Sequence, residues 1–182
     1  SYLSRTIDNF RDFIKDDINF SKVSIKRSIE QSLRLVDATL KNNFINVVLD
    51  IQDDMFIDGN LNELSQAFIN IINNSKDALI HNIDNHSNRF LFINAKPVDD
   101  SSYEIEITDS GKGINENIVN KIFEPYFTTK HQSQGTGLGL TIVDNIIRQR
   151  HKGFVKVSNK EYEYNNTLYK GVCFKIKLFK VV

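Results

Sequence analysis

A glycine-rich run in the last third of the chain has the composition of a phosphate-binding loop. Gly135, Gly137 and Gly139 stand at alternate positions just before an apolar helical pattern. Glycine has no Cβ, so the backbone can approach a ligand closely and can adopt a positive φ. A helix that begins there presents free backbone N–H groups and the positive end of its dipole to an anion. The run therefore predicts a phosphate site, with Thr136, Leu138 and Leu140 between and after the glycines.

A carboxylate upstream of this run stands where it could bind the amine of a base. Residues 103–108 alternate between apolar and polar side chains, which predicts a half-buried strand. Asp109 follows the strand, and Gly111 and Gly113 follow in the next turn. A carboxylate in this place can accept a hydrogen bond from an exocyclic amine. Asp and Gly also favour turns for purely local reasons, so a plain strand and turn is the alternative interpretation.

A predicted helix over residues 61–81 carries polar side chains suited to a magnesium ion. Asn70, Asn74 and Asp77 follow the spacing i, i+4 and i+7, which places them on one side beside the apolar stripe. Asparagine is a poor helix former, so several in one helix call for a reason. An amide oxygen is a suitable ligand for Mg²⁺, which often binds substrate phosphates as well. A polar flank in an asparagine-rich protein is the alternative.

Composition and charge favour one domain and exclude several classes of function. The chain has 182 residues, with 23 basic and 23 acidic side chains. It has no basic patch for nucleic acid and no polybasic arm for a membrane, so contact with either is not expected. The single cysteine, Cys173, cannot form an internal disulfide, which predicts a reducing, cytoplasmic location.

The pattern of elements predicts an α/β fold, with a mixed sheet and three helices in a two-layer sandwich. Ser24 is the expected N-cap of the first helix. Helices are predicted over residues 25–42, 61–81 and 137–150, and a short helix over 116–123. Strands are predicted over 45–51, 55–57, 89–95, 103–109, 154–158 and 172–180. The polar residues 160–170 are expected to form a solvated loop.

The motifs, taken in order, resemble those of the catalytic, ATP-binding domain of sensor histidine kinases, within the GHKL superfamily and its Bergerat fold. The asparagine helix resembles the N box of that family, and residues 109–113 its first glycine box. Residues 123–127 resemble the F box, and residues 135–140 the second glycine box. The match runs from about Ile25 to Leu178.

The resemblance implies a role for each motif residue. Asn74 would coordinate Mg²⁺, and Asp109 would bind the adenine amino group of ATP. Gly111 and Gly113 would shape the base pocket. The other residues implied at the nucleotide are Asn70, Lys76 or Asp77, Ile114, Lys130, His131, Gly135, Thr136, Gly137, Leu138, Gly139 and Leu140; the catalytic set is Asn70, Asn74 and Lys130.

The chain departs from the family pattern in its last strand. Many relatives carry a threonine there that helps hold the base through water. Val172 and Cys173 occupy that neighbourhood here, which leaves the detail of the base pocket open.

The first residues form a short amphipathic pattern. Leu3, Ile7, Phe10 and Ile14 recur at alternating spacings of four and three, as in a heptad seam. By the resemblance, residues 1–19 are the C-terminal part of the second helix of the dimerisation and phosphotransfer hairpin, and residues 20–182 are the catalytic domain. A helix that lies on its own domain is the alternative.

The resemblance also implies the partners. We expect the phosphoacceptor histidine to lie on a helix outside these 182 residues, reached in cis or in trans. A response regulator receiver domain would take the phosphate onto an aspartate, and the full-length protein would be a homodimer.

The predicted activity is transfer of the ATP γ-phosphate to that histidine. Water-hydrolysing relatives, such as the gyrase-like ATPases, place a glutamate where Asn70 stands here. An amide cannot act as a general base, which favours a kinase over an ATPase. A nucleotide-responsive interaction module without phosphotransfer and an anti-sigma-type protein serine kinase are the alternatives.

Overall fold

The computed structural model describes residues 20–52, 55–129 and 137–181. The strands are β1 (Ser21–Ser24), β2 (Asn46–Ile51), β3 (Phe56–Gly59), β4 (Phe90–Pro97), β5 (Ser102–Asp109), β6 (Phe154–Tyr164) and β7 (Thr167–Phe179). The helices are α1 (Ile25–Asn42), α2 (Leu61–Asn82) and α3 (Gly139–Asp144), the last continued as a π-helix over Asn145–Arg150. Short 3₁₀ turns span His86–Asn88 and Glu116–Lys121.

Within the described residues, the main sheet has five strands in the order β2-β4-β5-β7-β6. Strand β2 pairs parallel with β4, and the other pairs are antiparallel. Strands β1 and β3 form a separate antiparallel pair. On β4, Leu91, Ile93 and Ala95 alternate with more exposed residues and point into the core shared with the helices. The predicted two-layer α/β sandwich is therefore confirmed.

Helix α2 is the central helix, because it packs against both α1 and α3. Asn60 begins it by accepting a hydrogen bond from the Glu63 N–H at 2.9 Å. Its apolar stripe is fully buried, as at Leu64 and Phe68. Ser24 caps α1 as predicted, through a 3.2 Å bond from the Arg27 N–H. Because α2 is central, its polar residues Asn70, Asn74 and Asp77 lie close to other elements of the domain.

The prediction of a solvated loop over residues 160–170 is wrong. Strands β6 and β7 continue through this stretch as one long hairpin, with a tight turn at Asn165 and Asn166, whose φ angles are 49° and 62°. Aromatic residues explain the difference. The ring of Tyr162 packs edge to face on Phe92 at 5.3 Å, and this burial favours an ordered hairpin over a hydrated loop.

Two predicted helices differ in detail from the helices of the structure, and two predicted segments fall on residues that the structure does not describe. The last helix begins at Gly139 and its second half is π-helical, whereas an uninterrupted α-helix from 137 was predicted. The short helix after residue 116 is a 3₁₀ turn that ends at Lys121. The predicted N-terminal helix, with Leu3, Ile7, Phe10 and Ile14, lies outside the described residues, as do residues 130–136 before and within the second glycine box. Among the helices of the described ranges, none is long and apolar enough to cross a membrane.

Candidate functional site

Asp109 ends β5 as a buried carboxylate, with 1% of its surface exposed. Its Oδ1 accepts hydrogen bonds from the Gly111 N–H at 2.8 Å and the Val172 N–H at 3.2 Å. Burial raises the pKa of Asp109 to about 6, and the two backbone donors partly oppose this. The Ser75 hydroxyl lies near this carboxyl but makes no hydrogen bond of good geometry to any described group. Both backbone bonds fall on Oδ1, and neither uses Oδ2.

Strand β7 passes directly beside this carboxylate. A Cβ built on Gly171 would overlap the backbone oxygen of Asp109 and would lie 2.7 Å from its Oδ1. The next residue, Val172, contributes its backbone N–H to Asp109. Because the backbone makes this contact, it does not depend on the side chain at position 172.

The turn after Asp109 packs against α2. A Cβ on Gly111 would lie 3.2 Å from the Cβ of Ala78, so the turn is close to the helix. The Asn82 Nδ2 donates to the Gly111 oxygen at 2.9 Å and fixes this contact. Gly113 has a φ of 80°, a left-handed conformation that glycine adopts without strain. The first glycine box is therefore a rigid turn held on the end of α2.

The start of α3 packs against the same helix, nearer to its N-terminal end. A Cβ on Gly139 would lie 3.8 Å from the Asn70 Oδ1. The Asn70 Nδ2 is buried and has no hydrogen-bond partner among the described residues. Helix α3 begins after Leu138, and no side chain in the described part of the structure caps its first N–H groups. These are the features of a site for an anion or another polar ligand.

Gly137 joins this helix start to the F box. Its φ is 70°, and a Cβ there would overlap the backbone of Tyr126. The Tyr126 N–H donates to the Gly137 oxygen at 2.9 Å. The second glycine box and the F box are thus in direct backbone contact.

The half-buried Asn74 lies one turn beyond Asn70, on the same side of α2. Asp77 follows, and its carboxylate is 3.4 Å from the Lys76 Nζ. Residues 70 to 78 span roughly 12 Å along the helix axis. One face of α2 therefore joins the Gly139 end of the site to the Gly111 end.

The structure brings together most of the described site residues that the sequence predicted. Ile114 and Leu140 lie beside the core, partly buried. Lys130, His131, Gly135 and Thr136 lie outside the described residues, and their roles remain predictions. Within the parts of the chain that the structure describes, no group of three His, Cys, Asp or Glu side chains could hold a metal ion.

Sequence reasoning missed four residues that shape this site. They are Ser75, Asn82, Asn159 and Gly171. Gly171 directly precedes the strand predicted over 172–180 and lies inside β7 of the structure, where a glycine often marks a close backbone approach. The contacts of the other three depend on distant parts of the chain.

Solved structures of histidine kinase domains have the same fold. The catalytic domain of histidine kinase ThkA is 25% identical, with a TM-score of 0.71 over 88% of this chain and 95% of that domain. The complex of ThkA with response regulator protein TrrA gives a TM-score of 0.74 over 99% of this chain and 48% of ThkA. Because only 20% of the residues are identical, this likeness shows a shared fold and nothing more.

Curated relatives include a sporulation kinase and a sensor histidine kinase. Sporulation kinase A of Bacillus subtilis is 32% identical over 167 residues, which cover 92% of this chain and 24% of that protein. Sensor histidine kinase ZraS of Salmonella typhimurium is 32% identical over 161 residues, which cover 87% of this chain and 33% of that protein. The chain thus spans about a quarter to a third of the length of these two relatives.

A family model matches residues 59–181, the part of the chain that carries every described site residue named above. Its description is histidine kinase-, DNA gyrase B-, and HSP90-like ATPase. The resemblance inferred from the four motifs is confirmed, and ATP binding is the shared property of the family. The chain belongs to the family of histidine kinase-, DNA gyrase B-, and HSP90-like ATPases.

Proposed function

We propose that this chain carries the ATP-binding kinase domain of a two-component sensor histidine kinase. It transfers the ATP γ-phosphate to a histidine outside these 182 residues, for relay to a response regulator aspartate. The observation that carries the proposal is the face of α2 that joins Asp109 and Gly111 at one end to Gly139 at the other. The sporulation kinase and the sensor histidine kinase among the relatives support the same activity.

One end of this face offers a hydrogen-bond acceptor and the other offers donors, which suits the amine of adenine at one end of ATP and the phosphates at the other. At one end, the Asp109 Oδ2 can accept from the adenine amine. At the other, the Asn70 amide nitrogen and the uncapped start of α3 supply donors for phosphate oxygens. A separation of roughly 12 Å along α2 suits an extended nucleotide.

Asn74 is the residue proposed to hold Mg²⁺. Asn74 lies on the same side of α2 as Asn70, midway between the Gly139 end and the Gly111 end of the site. A single amide ligand suits a magnesium ion that takes its other ligands from water and phosphate oxygens. When bound, Mg²⁺ neutralises negative charge on the phosphates.

The carboxylate nearest the start of α2 is unsuited to activating water for hydrolysis. Glu63 is 3% exposed, and its Oε1 is paired with the Arg150 guanidinium at 3.0 Å. Asn70, two turns further along, has an amide that cannot accept a proton at neutral pH. A histidine imidazole is itself a nucleophile, so it needs less help from a general base. These features support a kinase over an efficient ATPase.

The partners follow from the same proposal. Residues 1–19 are proposed as the end of the hairpin helix, and residues 20–182 as the catalytic domain in the cytoplasm. The acceptor histidine helix, a receiver domain and a second copy of the full-length protein are the proposed partners. One structure of similar fold is a histidine kinase in complex with a response regulator protein.

The experiment compares two neighbouring asparagines in a longer chain that includes the upstream helix. Asn74→Ala should reduce labelling from γ-labelled ATP by at least about tenfold, since it removes the proposed magnesium ligand. Asn73→Ala, on a different side of α2, is the matched control and should keep labelling within about twofold. Equal labelling by both variants would contradict the role of Asn74.

The label also separates the other candidate functions. ATP binding without label at any time would indicate a nucleotide-responsive module. Acid-stable label on serine would indicate a protein serine kinase.

A further inference from the structure

A set of contacts from the β6–β7 hairpin holds the first glycine box, in addition to its contacts with α2. The Asn159 Oδ1 accepts a hydrogen bond from the Ile114 N–H at 2.8 Å. The Asn159 Nδ2 donates to the Ile114 oxygen at 2.7 Å. One side chain therefore makes both of the bonds that an adjacent strand would make with Ile114.

The place of Asn159 in the hairpin couples this contact to Asp109. Asn159 on β6 stands opposite Val172 on β7. The N–H of Val172 donates to the Asp109 Oδ1 at 3.2 Å. Two facing residues of the hairpin thus hold the two ends of the turn, Asp109 at its start and Ile114 at its end.

Two further bonds fix the turn to the same hairpin. The Tyr162 hydroxyl donates to the backbone oxygen of Asp109 at 2.8 Å. The Lys112 N–H donates to the Lys170 oxygen at 2.9 Å. The hairpin therefore contacts the turn along most of its length.

Asn159 also fixes the position of Gly113. A Cβ at Gly113 would lie 2.5 Å from the Asn159 Oδ1, so the backbone and the amide are in close contact. The Asn159 Nδ2 donates a second bond, to the Glu116 Oε1 at 2.6 Å. These partners require the oxygen and the nitrogen of the amide in one orientation, because one partner is a donor and two are acceptors.

We propose that Asn159 is a positioning residue for base recognition: it sets the place of Gly113 and Ile114 relative to Asp109, and so sets the preference for adenine. This inference rests on the proposed binding of ATP at this site. Adenine presents an amine to the Asp109 carboxylate, whereas guanine presents a carbonyl oxygen that the carboxylate repels. A turn that is no longer held against Asp109 discriminates less well between the two bases.

The test measures the Kd of ATP and of GTP for the 182-residue chain and for Asn159→Ala. The preference of the wild-type chain for ATP over GTP should fall by about tenfold in the variant, because two backbone bonds of the turn lose their partner. A purely structural role would lower the folded fraction, which weakens both nucleotides equally and leaves their ratio unchanged. Lys156→Ala, at an exposed position on the same strand, is the control and should keep the wild-type ratio.

A second variant covers the case in which Asn159→Ala does not fold. Asn159→Asp is nearly isosteric and keeps an acceptor for the Ile114 N–H, but it loses the donor to the Ile114 oxygen. Its ATP-to-GTP preference should also fall, by about threefold or more. A wild-type ratio in a folded Asn159 variant would overturn the positioning role alone. Failure of the wild-type chain to bind ATP would overturn the proposed function, and this assignment with it.

Discussion

Gly171 lies so close to Asp109 that no side chain fits between them. A Cβ on Gly171 would overlap the Asp109 backbone oxygen and would lie 2.7 Å from its Oδ1. The contact joins β7 to the end of β5, where the candidate base-binding carboxylate is held. The position of Asp109 therefore depends on a glycine 62 residues further along the chain.

Gly171→Ala should destabilise the domain by about 3 kcal/mol and weaken ATP binding, because the strand must move away from Asp109. Denaturant unfolding measures the first effect and nucleotide titration the second. Gly139→Ala is the comparison, since its nearest neighbour is the Asn70 Oδ1 at 3.8 Å. That variant should keep the free energy of unfolding within about 1 kcal/mol. Equal losses of stability in the two variants would contradict the steric account.

Asp109→Asn should make the domain more stable while abolishing ATP recognition. The pKa of Asp109 is raised by burial to about 6, above the value of 3.8 for an exposed carboxyl. The folded state therefore holds a proton more tightly than the unfolded state, so stability is lost as the pH rises from 3.8 to about 6 and does not recover at higher pH. The difference corresponds to about 3 kcal/mol at pH 8.

Unfolding of the wild-type chain and of Asp109→Asn at several pH values measures this cost. Asp109→Asn should have the larger free energy of unfolding at pH 7. Its difference from the wild-type chain should decrease as the pH falls to 4, because wild-type Asp109 becomes protonated. Asp84→Asn, at an exposed carboxylate, should change stability by less than about 0.5 kcal/mol. An advantage that stays constant with pH would refute this explanation.

Asn70→Ala should weaken ATP binding by about tenfold without loss of stability. The Asn70 amide nitrogen has no partner among the described residues, and alanine is the better helix former. Asn82→Ala provides the contrast, because the Asn82 Nδ2 donates to Gly111 and its removal should cost about 1 kcal/mol. Thermal unfolding with and without ATP separates the two behaviours. If Asn70→Ala were the less stable of the two, the amide would have a structural role instead.

His151 should make the domain sensitive to mild acid. Its ring is buried, with Nε2 accepting from the Asn60 N–H at 3.1 Å and Nδ1 2.8 Å from the Ile146 oxygen. Burial lowers the pKa of His151 below 6.5, so the neutral form is favoured in the folded state. The resulting stability is present above pH 6.5 and is lost as the pH falls through the folded pKa.

His151→Gln removes this dependence. The difference in the free energy of unfolding between the wild-type chain and this variant should decrease below pH 6.5, by up to about 1.4 kcal/mol for each pH unit. The Glu63 Oε2 lies 3.8 Å from the His151 Nδ1, so both chains are compared with Glu63→Gln in place, which removes the opposite contribution of a carboxyl whose pKa is raised by burial. If this difference did not change between pH 7 and pH 5, His151 would not be a buried neutral histidine.

Local patterns were enough to predict most of the strands and helices and the four motifs. Alternation predicted β5, and helical spacing placed Asn70 and Asn74 on one side of α2. The start of α1 followed from its cap at Ser24. These features depend on residues close in sequence, which is why a single sequence is informative about them.

The contacts that fix the geometry of the site could not be predicted in the same way. Asn159 is 45 residues from Ile114, and nothing near it in sequence indicates that its amide binds that backbone. The polar stretch that contains Tyr162 has the composition of a loop until Phe92 is known to lie beneath it. The close approach of Gly171 to Asp109 likewise requires the register of two strands.

The most direct measurement follows the γ-phosphate of labelled Mg·ATP, with a longer chain that includes the upstream helix and with the 182-residue chain alone. The account predicts acid-labile, base-stable label on the longer chain, no label on the shorter one, and ATP binding by both. ATP binding by both chains without label on either would contradict the kinase assignment.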